Sequence, residues 1–202
     1  MSDPVTVYVP SDSAARSVGA DEVAVAVERV AAITGREIRL VRNGSRGLLW
    51  LEPLVEVDTG TGRVGYGPVA PDDVDELVAA GMLDAADHPL RLGPVEEIPW
   101  LRDQNRLTFA RVGVVDPLNF DDYTAHGGLT GLRKALTMTP ADVVAEVVTS
   151  GLRGRGGAGF PAGIKWKTVL EATSEPKFVC CNADEGDSGT FADRMLMEGD
   201  PF

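Results

Sequence analysis

Cysteine is almost missing from this chain. Its 202 residues contain two cysteines, Cys180 and Cys181, which are adjacent. Neighbouring cysteines rarely form a disulfide with each other, and two thiolates do not complete a structural zinc or iron–sulfur site. We therefore expect two reduced thiols, no metal held by these residues, and a cytoplasmic location.

Long apolar runs and an excess of positive charge are missing as well. No stretch approaches the ~20 apolar residues that span a bilayer, and residues 1–12 do not have the pattern of a secretion signal. Nineteen Lys and Arg residues oppose 31 Asp and Glu residues, which gives a net charge of −12. Such a chain repels phosphate backbones, so we expect neither membrane insertion nor nucleic-acid binding.

The first part of the chain alternates strands and helices. Apolar residues recur at helical spacing over residues 21–33, and Gly35 follows the end of that pattern. The order β-α-β-β-β-α predicts a small α/β domain over residues 1–87, whose elements are expected at Val5–Val9, 21–33, Glu37–Arg42, Leu48–Val57, Arg63–Tyr66 and Pro71–Gly81.

A second domain is predicted over residues 119–202. Residues 88–118 are rich in Pro, Gly and charge, and we expect them to be a linker. In the second domain, Thr139 and Pro140 are typical of a helix start, and that helix ends near Gly151. Two shorter helices are expected before it, at Phe120–Tyr123 and Leu129–Leu136, and an apolar strand is expected at Lys177–Cys181.

The most informative segment is rich in glycine. Six glycines lie within residues 151–163, and Arg153, Arg155 and Lys165 add positive charge. Exposed backbone N–H groups with nearby cations are the chemistry that binds a phosphate. Residues 154–159 fit G-x-G-x-x-G, but they follow a helix rather than a strand, so we reject a Rossmann site. A flexible surface loop remains the alternative, although Phe160 and the cations are unusual for a linker.

A second polar segment, residues 181–190, follows the strand predicted at 177–181. Asn182 offers a donor and an acceptor, while Asp184, Glu185 and Asp187 offer acceptors for ribose hydroxyls or ring N–H groups. Loops at the carboxyl ends of strands are common ligand sites in α/β proteins. Calcium is a weaker alternative because the spacing of an EF-hand loop is missing, and a solvated loop without a ligand also remains open.

These two segments resemble a known family. GLRGRGGAGFPAGIKW (residues 151–166) and CNADEGDSGTFADRMLMEGDPF (residues 181–202) are similar to the FMN- and NADH-binding subunit of respiratory complex I. The same family includes the diaphorase subunits of NAD-linked hydrogenases and of molybdenum or tungsten formate dehydrogenases. Upstream, LEPLVEV and GRVGYGPV, at residues 51–57 and 62–69, resemble the thioredoxin-like module fused to such subunits. The resemblance implies an α/β chain in which a thioredoxin-like module precedes the start of an FMN/NAD-binding domain.

The resemblance also implies which residues bind the cofactors FMN and NAD. Gly154 and Gly156 would approach FMN through their backbone, Lys165 would reach flavin or nucleotide oxygens, and Phe160 would stack on the adenine of NAD(H). The other cofactor-binding residues expected are Arg155, Gly157, Asn182, Asp184, Glu185 and Asp187. Asp187 stands where respiratory relatives usually have Glu, and Thr168 stands where some have a second Phe. No catalytic side chain is expected, because the cofactors carry the hydride transfer.

The thioredoxin-like module departs from relatives that hold a [2Fe–2S] cluster. Ser45 and Leu49 stand at the places of two cluster cysteines, and no cysteine precedes Cys180. Iron–sulfur ligation requires thiolates, so this module is expected to lack a cluster. It is expected either to dock a neighbouring subunit or to remain only as a packing element.

The function that the resemblance implies is electron transfer in an NAD-dependent dehydrogenase. Hydride would pass between FMN and NAD(H), and electrons would pass through a [4Fe–4S] cluster expected beyond Phe202. We favour the β subunit of a cytosolic formate dehydrogenase, partnered by an iron–sulfur/molybdenum subunit and a small [2Fe–2S] thioredoxin-like subunit. A hydrogenase diaphorase, an NADH-quinone oxidoreductase subunit and a non-catalytic docking module are the alternatives. The 202-residue polypeptide alone is expected to be inactive and not to hold stoichiometric FMN.

Overall fold

The computed structural model describes residues 4–202; residues 1–3, with which the first predicted domain begins, lie outside the described residues. The chain divides into two compact units. The first comprises the residues up to His126 together with Glu185–Phe202, and the second is Gly127–Asp184.

A five-stranded mixed sheet forms the centre of the first unit. Its strands stand in the order β2-β1-β3-β4-β5. β1 and β2 are parallel, whereas β3, β4 and β5 run antiparallel to their neighbours. The strands are β1 (Val5–Tyr8), β2 (Ile38–Val41), β3 (Val55–Asp58), β4 (Arg63–Tyr66) and β5 (Arg91–Pro94).

Helices connect and cover the strands. The helices of the described chain are α1 (Ser13–Arg16), α2 (Ala20–Thr34), α3 (Val74–Ala79), α4 (Pro99–Arg102), α5 (Phe120–Ala125), α6 (Thr130–Ala135), α7 (Pro140–Ser150), α8 (Ala162–Glu171) and α9 (Ala192–Gly199). In α2, Val23 and Val27 are fully buried, while Val25 is exposed on the opposite face. The buried face joins β1, β3 and α3 in one apolar core, because burying such a stripe is what stabilises an amphipathic helix.

The topology confirms the predicted α/β class and its thioredoxin-like module. A β-α-β unit with parallel strands is followed by the β3–β4 hairpin, in which Asp58 pairs with Arg63. Of the predicted run Leu48–Val57, only its end forms a strand. Leu49–Leu51 is a 3-10 turn, and Pro53, which has no N–H group to donate, separates that turn from β3.

Residues 88–118 are not a linker. β5 lies within that range, and it completes the sheet next to β4. A second apolar cluster contains Val95 and Leu101 from the same range together with Leu48 and Leu54. The strand and short helices of residues 88–118 were not predicted because Pro and Gly in this range are typical of loops. Gly65 in β4 lets Val95 pack closely, since a Cβ atom at Gly65 would lie 3.2 Å from a methyl carbon of Val95.

A buried ion-pair network crosses the first unit. The guanidinium of Arg46 donates to both oxygens of Glu56, at 2.9 Å each, and Arg63 donates to Glu56 at 3.2 Å. The Arg46 and Glu56 side chains are only 3% and 1% exposed. Arg63 also donates to the carbonyls of Gly113 and Val114. The network therefore ties the loop at residue 46, the sheet and the segment near 113 together.

The loop at residues 43–52, which contains Ser45 and Leu49, is held by a second polar group. Asp12 accepts the backbone N–H groups of Ala15 and Ser45, both at 2.8 Å. The Ser45 hydroxyl donates to Glu52, whose other oxygen accepts the N–H of Leu54 at 2.9 Å. The side chains of Asp12, Ser45 and Glu52 are all buried, so hydrogen bonds between buried groups support this loop.

Residues 185–202 belong to the first unit, and so do residues 119–126, although both ranges fall in the predicted second domain. The reason is close packing of α9 on the loop at 43–52. A Cβ atom at Gly44 would lie 2.6 Å from the Cα atom of Gly199, so two glycines let the backbones touch. Glu198 accepts hydrogen bonds from Ser13, and Asp200 pairs with Arg111.

The strand predicted at Lys177–Cys181 does not form. These residues are irregular and exposed, and Val179 is 99% exposed. All five strands of the sheet come from residues 5–94, so this segment has no ladder of backbone partners. Its apolar composition alone does not make a strand.

Replacing Glu56 with Gln should destabilise the first unit strongly. The change removes the carboxylate that pairs with the buried Arg46 and the partly buried Arg63, and breaking a buried pair costs about 3–5 kcal/mol. Arg46 keeps its ion pair with Glu96 at 2.9 Å, so we expect the lower end of that range. Urea denaturation at pH 7 measures the loss. Asp75→Asn is the matched control, since the Arg29–Asp75 pair is 49% and 64% exposed and its loss should cost less than about 1 kcal/mol. Equal effects of the two changes would contradict a structural role for the buried pair.

Stability should also fall as the pH rises toward 7, because of Glu52. Burial raises its pKa from 4.5 to about 7; hydrogen bonds from Ser45 and Leu54 oppose this shift, and the charges of Asp12 and Glu56 add to it. Between those two pH values the folded state binds more protons than the unfolded state, so the free energy of unfolding decreases with rising pH, by up to about 3 kcal/mol.

Glu52→Gln should remove this part of the pH dependence, as measured by urea midpoints between pH 4.5 and 8. Glu28→Gln, at an exposed position of α2, should leave the dependence as it is. If the urea midpoint of the wild type instead rises with pH, and Glu52→Gln removes that rise, the Glu52 carboxyl is ionised in the folded state.

Candidate functional site

α7 leads into the predicted phosphate-binding segment. It begins as predicted, with the Thr139 hydroxyl oxygen accepting the N–H of Asp142 at 3.2 Å and Pro140 in the first turn. It ends at Gly151, which has a left-handed φ of +67° that favours glycine. The chain then turns into residues 152–161, which we name the glycine loop.

The glycine loop is closed at its base by hydrogen bonds. The N–H of Gly154 donates to the carbonyl of Phe160 at 2.9 Å, and the N–H of Ala162 donates to Leu152 at 2.8 Å. The Arg153 guanidinium donates to the carbonyl of Gly159 at 3.0 Å. The segment is therefore a defined turn rather than a random linker, and Arg153 serves to close it.

The tip of the glycine loop presents open backbone. Gly157 and Gly159 have φ values of +104° and +60°, a region that side chains strain. No atom lies within 4 Å of the place of a Cβ at Gly156, Gly157 or Gly159. A ligand can therefore approach the backbone closely there. Gly154 differs, because its N–H group is already bonded within the loop.

α8 begins immediately after the glycine loop. A Cβ atom at Gly163 would lie 2.7 Å from the Cα atom of Val148, so this glycine allows α8 to pack directly on α7. The start of α8 adds the partial positive charge of free N–H groups beside the loop. Lys165 lies with its Nζ atom 5.5 Å from the ring centre of Phe160, which is 45% exposed. Cationic and aromatic groups thus flank the open backbone.

The carboxylate turn, residues 182–187, is the other predicted binding segment. The side-chain oxygen of Asn182 accepts the N–H of Asp184 at 3.1 Å. Glu185 has a φ of +46°, which is uncommon for a residue with a side chain. Its carboxylate accepts the N–H groups of Asp193 and Arg194 at 2.7 and 3.0 Å, and so caps α9.

The charge of Glu185 is stabilised by this cap. Burial acts to raise the pKa of Glu185, but the backbone N–H groups of Asp193, Arg194 and Ala192 together hold the pKa below its ordinary value. The carboxylate is therefore ionised at neutral pH. Asp184 and Asp187 are the other two carboxylates of the turn, and both are exposed, whereas Glu185 is half-buried.

The predicted site residues fall into three places. Six of them lie on the glycine loop and the first turn of α8: Gly154, Arg155, Gly156, Gly157, Phe160 and Lys165. Asn182 and Asp184 lie at the end of the second unit, whereas Glu185 and Asp187 lie in the first unit. Binding of one ligand by all ten residues stays a prediction.

Sequence reasoning missed two parts of this site. α8 and α9 had no counterpart among the predicted elements, and the structural role of Gly163 was missed as well. The apolar residues Trp166, Val169 and Leu170 recur at helical spacing, and Pro161 precedes the segment, so a signal for α8 was present.

Two absences apply to the described part of the chain. Over residues 4–202, no group of three or more His, Cys, Asp or Glu side chains is placed to hold a metal ion. In the same range, every helix is too short or too polar to cross a membrane.

One family model covers both the glycine loop and the carboxylate turn. Residues 147–202 match the family model of the Nuo51 FMN-binding domain of complex I. The match includes both segments, so this region is similar to an FMN-binding domain, as the sequence resemblance predicted.

Individual relatives agree with that match. The chain is 54% identical over 100 residues to the NADP-reducing hydrogenase subunit HndC of Solidesulfovibrio fructosivorans, an alignment that covers 50% of this chain and 20% of that protein. It is 55% identical over 91 residues to an NADH-quinone oxidoreductase subunit of Rhizobium meliloti, covering 45% of this chain and 22% of the relative. The chain thus spans about a fifth of the length of these relatives.

Among solved structures, the thioredoxin-like [2Fe–2S] ferredoxin of Aquifex aeolicus aligns with 46% of this chain and 99% of its own length. The identity is 20% and the TM-score is 0.38.

Gly163→Ala should separate α7 from α8. The added methyl group would meet the backbone of Val148, and such overpacking costs about 1–3 kcal/mol. Hydrogen exchange of the α7 and α8 amides should accelerate by about tenfold or more. Gly131→Ala in α6 is the control, because nothing lies within 4 Å of its added Cβ. Unchanged exchange in Gly163→Ala would mean that the two helices do not pack in solution.

Proposed function

We propose that this chain contributes an FMN and NAD(H) site to a multi-subunit oxidoreductase of the diaphorase type. The glycine loop is the observation that carries the proposal. It combines open backbone at Gly156 and Gly157 with the start of α8 and with the side chains of Arg155 and Lys165. It also lies inside the segment that matches the FMN-binding domain.

The donor set of the glycine loop fits the phosphate of FMN. A phosphate needs several N–H groups and a cation with no side chain between them. The glycines keep that space clear, and the cations supply local positive charge in an otherwise acidic chain. Gly154 would contact the cofactor through its Cα atom or carbonyl, since its N–H group closes the loop.

The remaining predicted residues would orient the two cofactors. Phe160 offers an exposed ring face for adenine, and Lys165 beside it offers a cation for nucleotide oxygens. Asn182, Asp184, Glu185 and Asp187 would hold the polar parts of the flavin. FMN, when bound, supplies the hydride acceptor for NADH or the hydride donor for NAD⁺, so these side chains need only bind and align it.

For the complete enzyme we propose NAD-linked formate oxidation in the cytoplasm. The thioredoxin-like module supports formate oxidation over hydrogen oxidation, because Ser45 and Leu49 stand where relatives that hold a [2Fe–2S] cluster have cysteines. The partners would be an iron–sulfur/molybdenum subunit and a small [2Fe–2S] thioredoxin-like subunit. A [4Fe–4S] cluster would take its cysteines from outside this sequence. A hydrogenase diaphorase and an NADH-quinone oxidoreductase subunit are the second candidates, favoured by the names of the matched relatives.

A non-catalytic docking protein is the alternative from a different class. Purification of the native assembly separates the two functions. A diaphorase should bring flavin absorbance and NADH-dependent dye reduction, whereas a docking protein should bring its partners without flavin.

Lys165→Ala should weaken FMN or NAD(H) binding in that assembly. Loss of a charge-assisted contact to a nucleotide oxygen lowers affinity by about tenfold or more. The measurement is flavin content after dialysis, together with the KM for NADH in dye reduction. Lys167→Ala is the control on the same helix, because Lys167 lies near Glu171 at 3.7 Å. Equal flavin content and equal KM for NADH in the two variants would show that Lys165 does not bind either cofactor.

A further inference from the structure

Two of the three tryptophans of the chain form an exposed pair on the first unit. Trp50 is 59% exposed and Trp100 is 58% exposed. Their rings meet edge to face, with centroids 5.6 Å apart and planes at 90°. Large aromatic side chains are costly to leave in water, and tryptophan is enriched where proteins bind each other.

The backbone that carries this tryptophan pair is anchored by buried leucines. Trp50 lies in the 3-10 turn Leu49–Leu51, two residues after the fully buried Leu48. Trp100 lies in α4, directly before the buried Leu101. Leu48 and Leu101 belong to the same apolar cluster. The two rings are therefore presented by ordered backbone, which lowers the entropy that a partner would have to remove.

The surroundings of the tryptophan pair are acidic. Glu97 precedes α4 and Asp103 follows it, and both side chains are exposed. Glu96 is exposed as well, but its carboxylate pairs with the Arg46 guanidinium at 2.9 Å. The nearby cation Arg102 is paired with Asp103 at 3.0 Å. The chain as a whole carries a net charge of −12. A second copy of the chain would bring the same negative charge to this surface, so self-association is disfavoured.

We propose that the tryptophan pair is a docking site for a basic surface of another protein subunit. Indole faces attract guanidinium and ammonium groups, and the exposed carboxylate of Glu97 adds long-range attraction for the same charges. Trp50 lies in the loop at residues 43–52, so this loop would serve in assembly. The proposal is independent of FMN binding.

The test uses the ¹H–¹⁵N spectrum of the full chain, in which the three indole N–H groups give three signals. The probe is a synthetic peptide, Arg-Pro-Leu-Arg-Pro-Leu-Arg, and its counterpart has Glu in place of each Arg. The basic peptide should shift the signals of Trp50 and Trp100, and the signal of Trp166, which lies in the second unit, should stay in place.

Variants make the test specific. Trp100→Ala should weaken binding of the basic peptide by about tenfold, and Glu97→Gln should weaken it by about threefold at low salt. Trp166→Ala removes an exposed tryptophan elsewhere and should leave the affinity unchanged. Trp100→Phe should restore part of the affinity, which separates loss of the ring from loss of the fold.

Three outcomes would overturn the proposal. The first is equal binding of the acidic peptide, which indicates an unselective apolar patch. The second is the absence of any shift of Trp50 and Trp100 at millimolar basic peptide. The third is a shift of these signals with protein concentration alone, which indicates that a second copy occupies the surface.

Discussion

The bidentate contact between Arg46 and Glu56 connects the loop at residues 43–52 to the centre of the sheet in the first unit. Glu56 belongs to β3 at the centre of the sheet, and Arg46 belongs to the loop at residues 43–52. A buried guanidinium requires a carboxylate, and this one holds the loop in place while Arg63 extends the network to residues 113 and 114. The loop then offers Gly44 to α9 and Trp50 to the exposed tryptophan pair. Packing of α9, which Glu185 caps, thus depends on charges buried against the sheet.

Sequence patterns predicted the elements whose signals are local. The valines of α2 and the Thr139–Pro140 start of α7 gave correct helices, and β3 and β4 were found as a hairpin. Lys177–Cys181 failed because a strand exists only when another strand pairs with it, which composition cannot reveal. β5 was missed for the opposite reason, since Gly93 and Pro94 look like loop residues until β4 lies beside them.

The sequence and its family resemblance named the candidate site residues, and their binding of a ligand stays a prediction. The contacts that support the site were not predicted. The cap that Glu185 places on α9, and the contact of Gly163 with Val148, depend on distances between segments. Such contacts leave no periodic signal in the sequence. A single glycine in a helix reads only as a weak helix former until its neighbour is known.

The adjacent pair of exposed thiols has a practical consequence. Cys180 and Cys181 are the two cysteines of the chain, and both are free and accessible at one place beside the carboxylate turn. A maleimide dye or spin label would therefore attach at a single locus of the native sequence, with no engineered cysteine and no disturbance of either apolar cluster. The chain carries its own attachment point for spectroscopy, a few residues away from where flavin is proposed to bind.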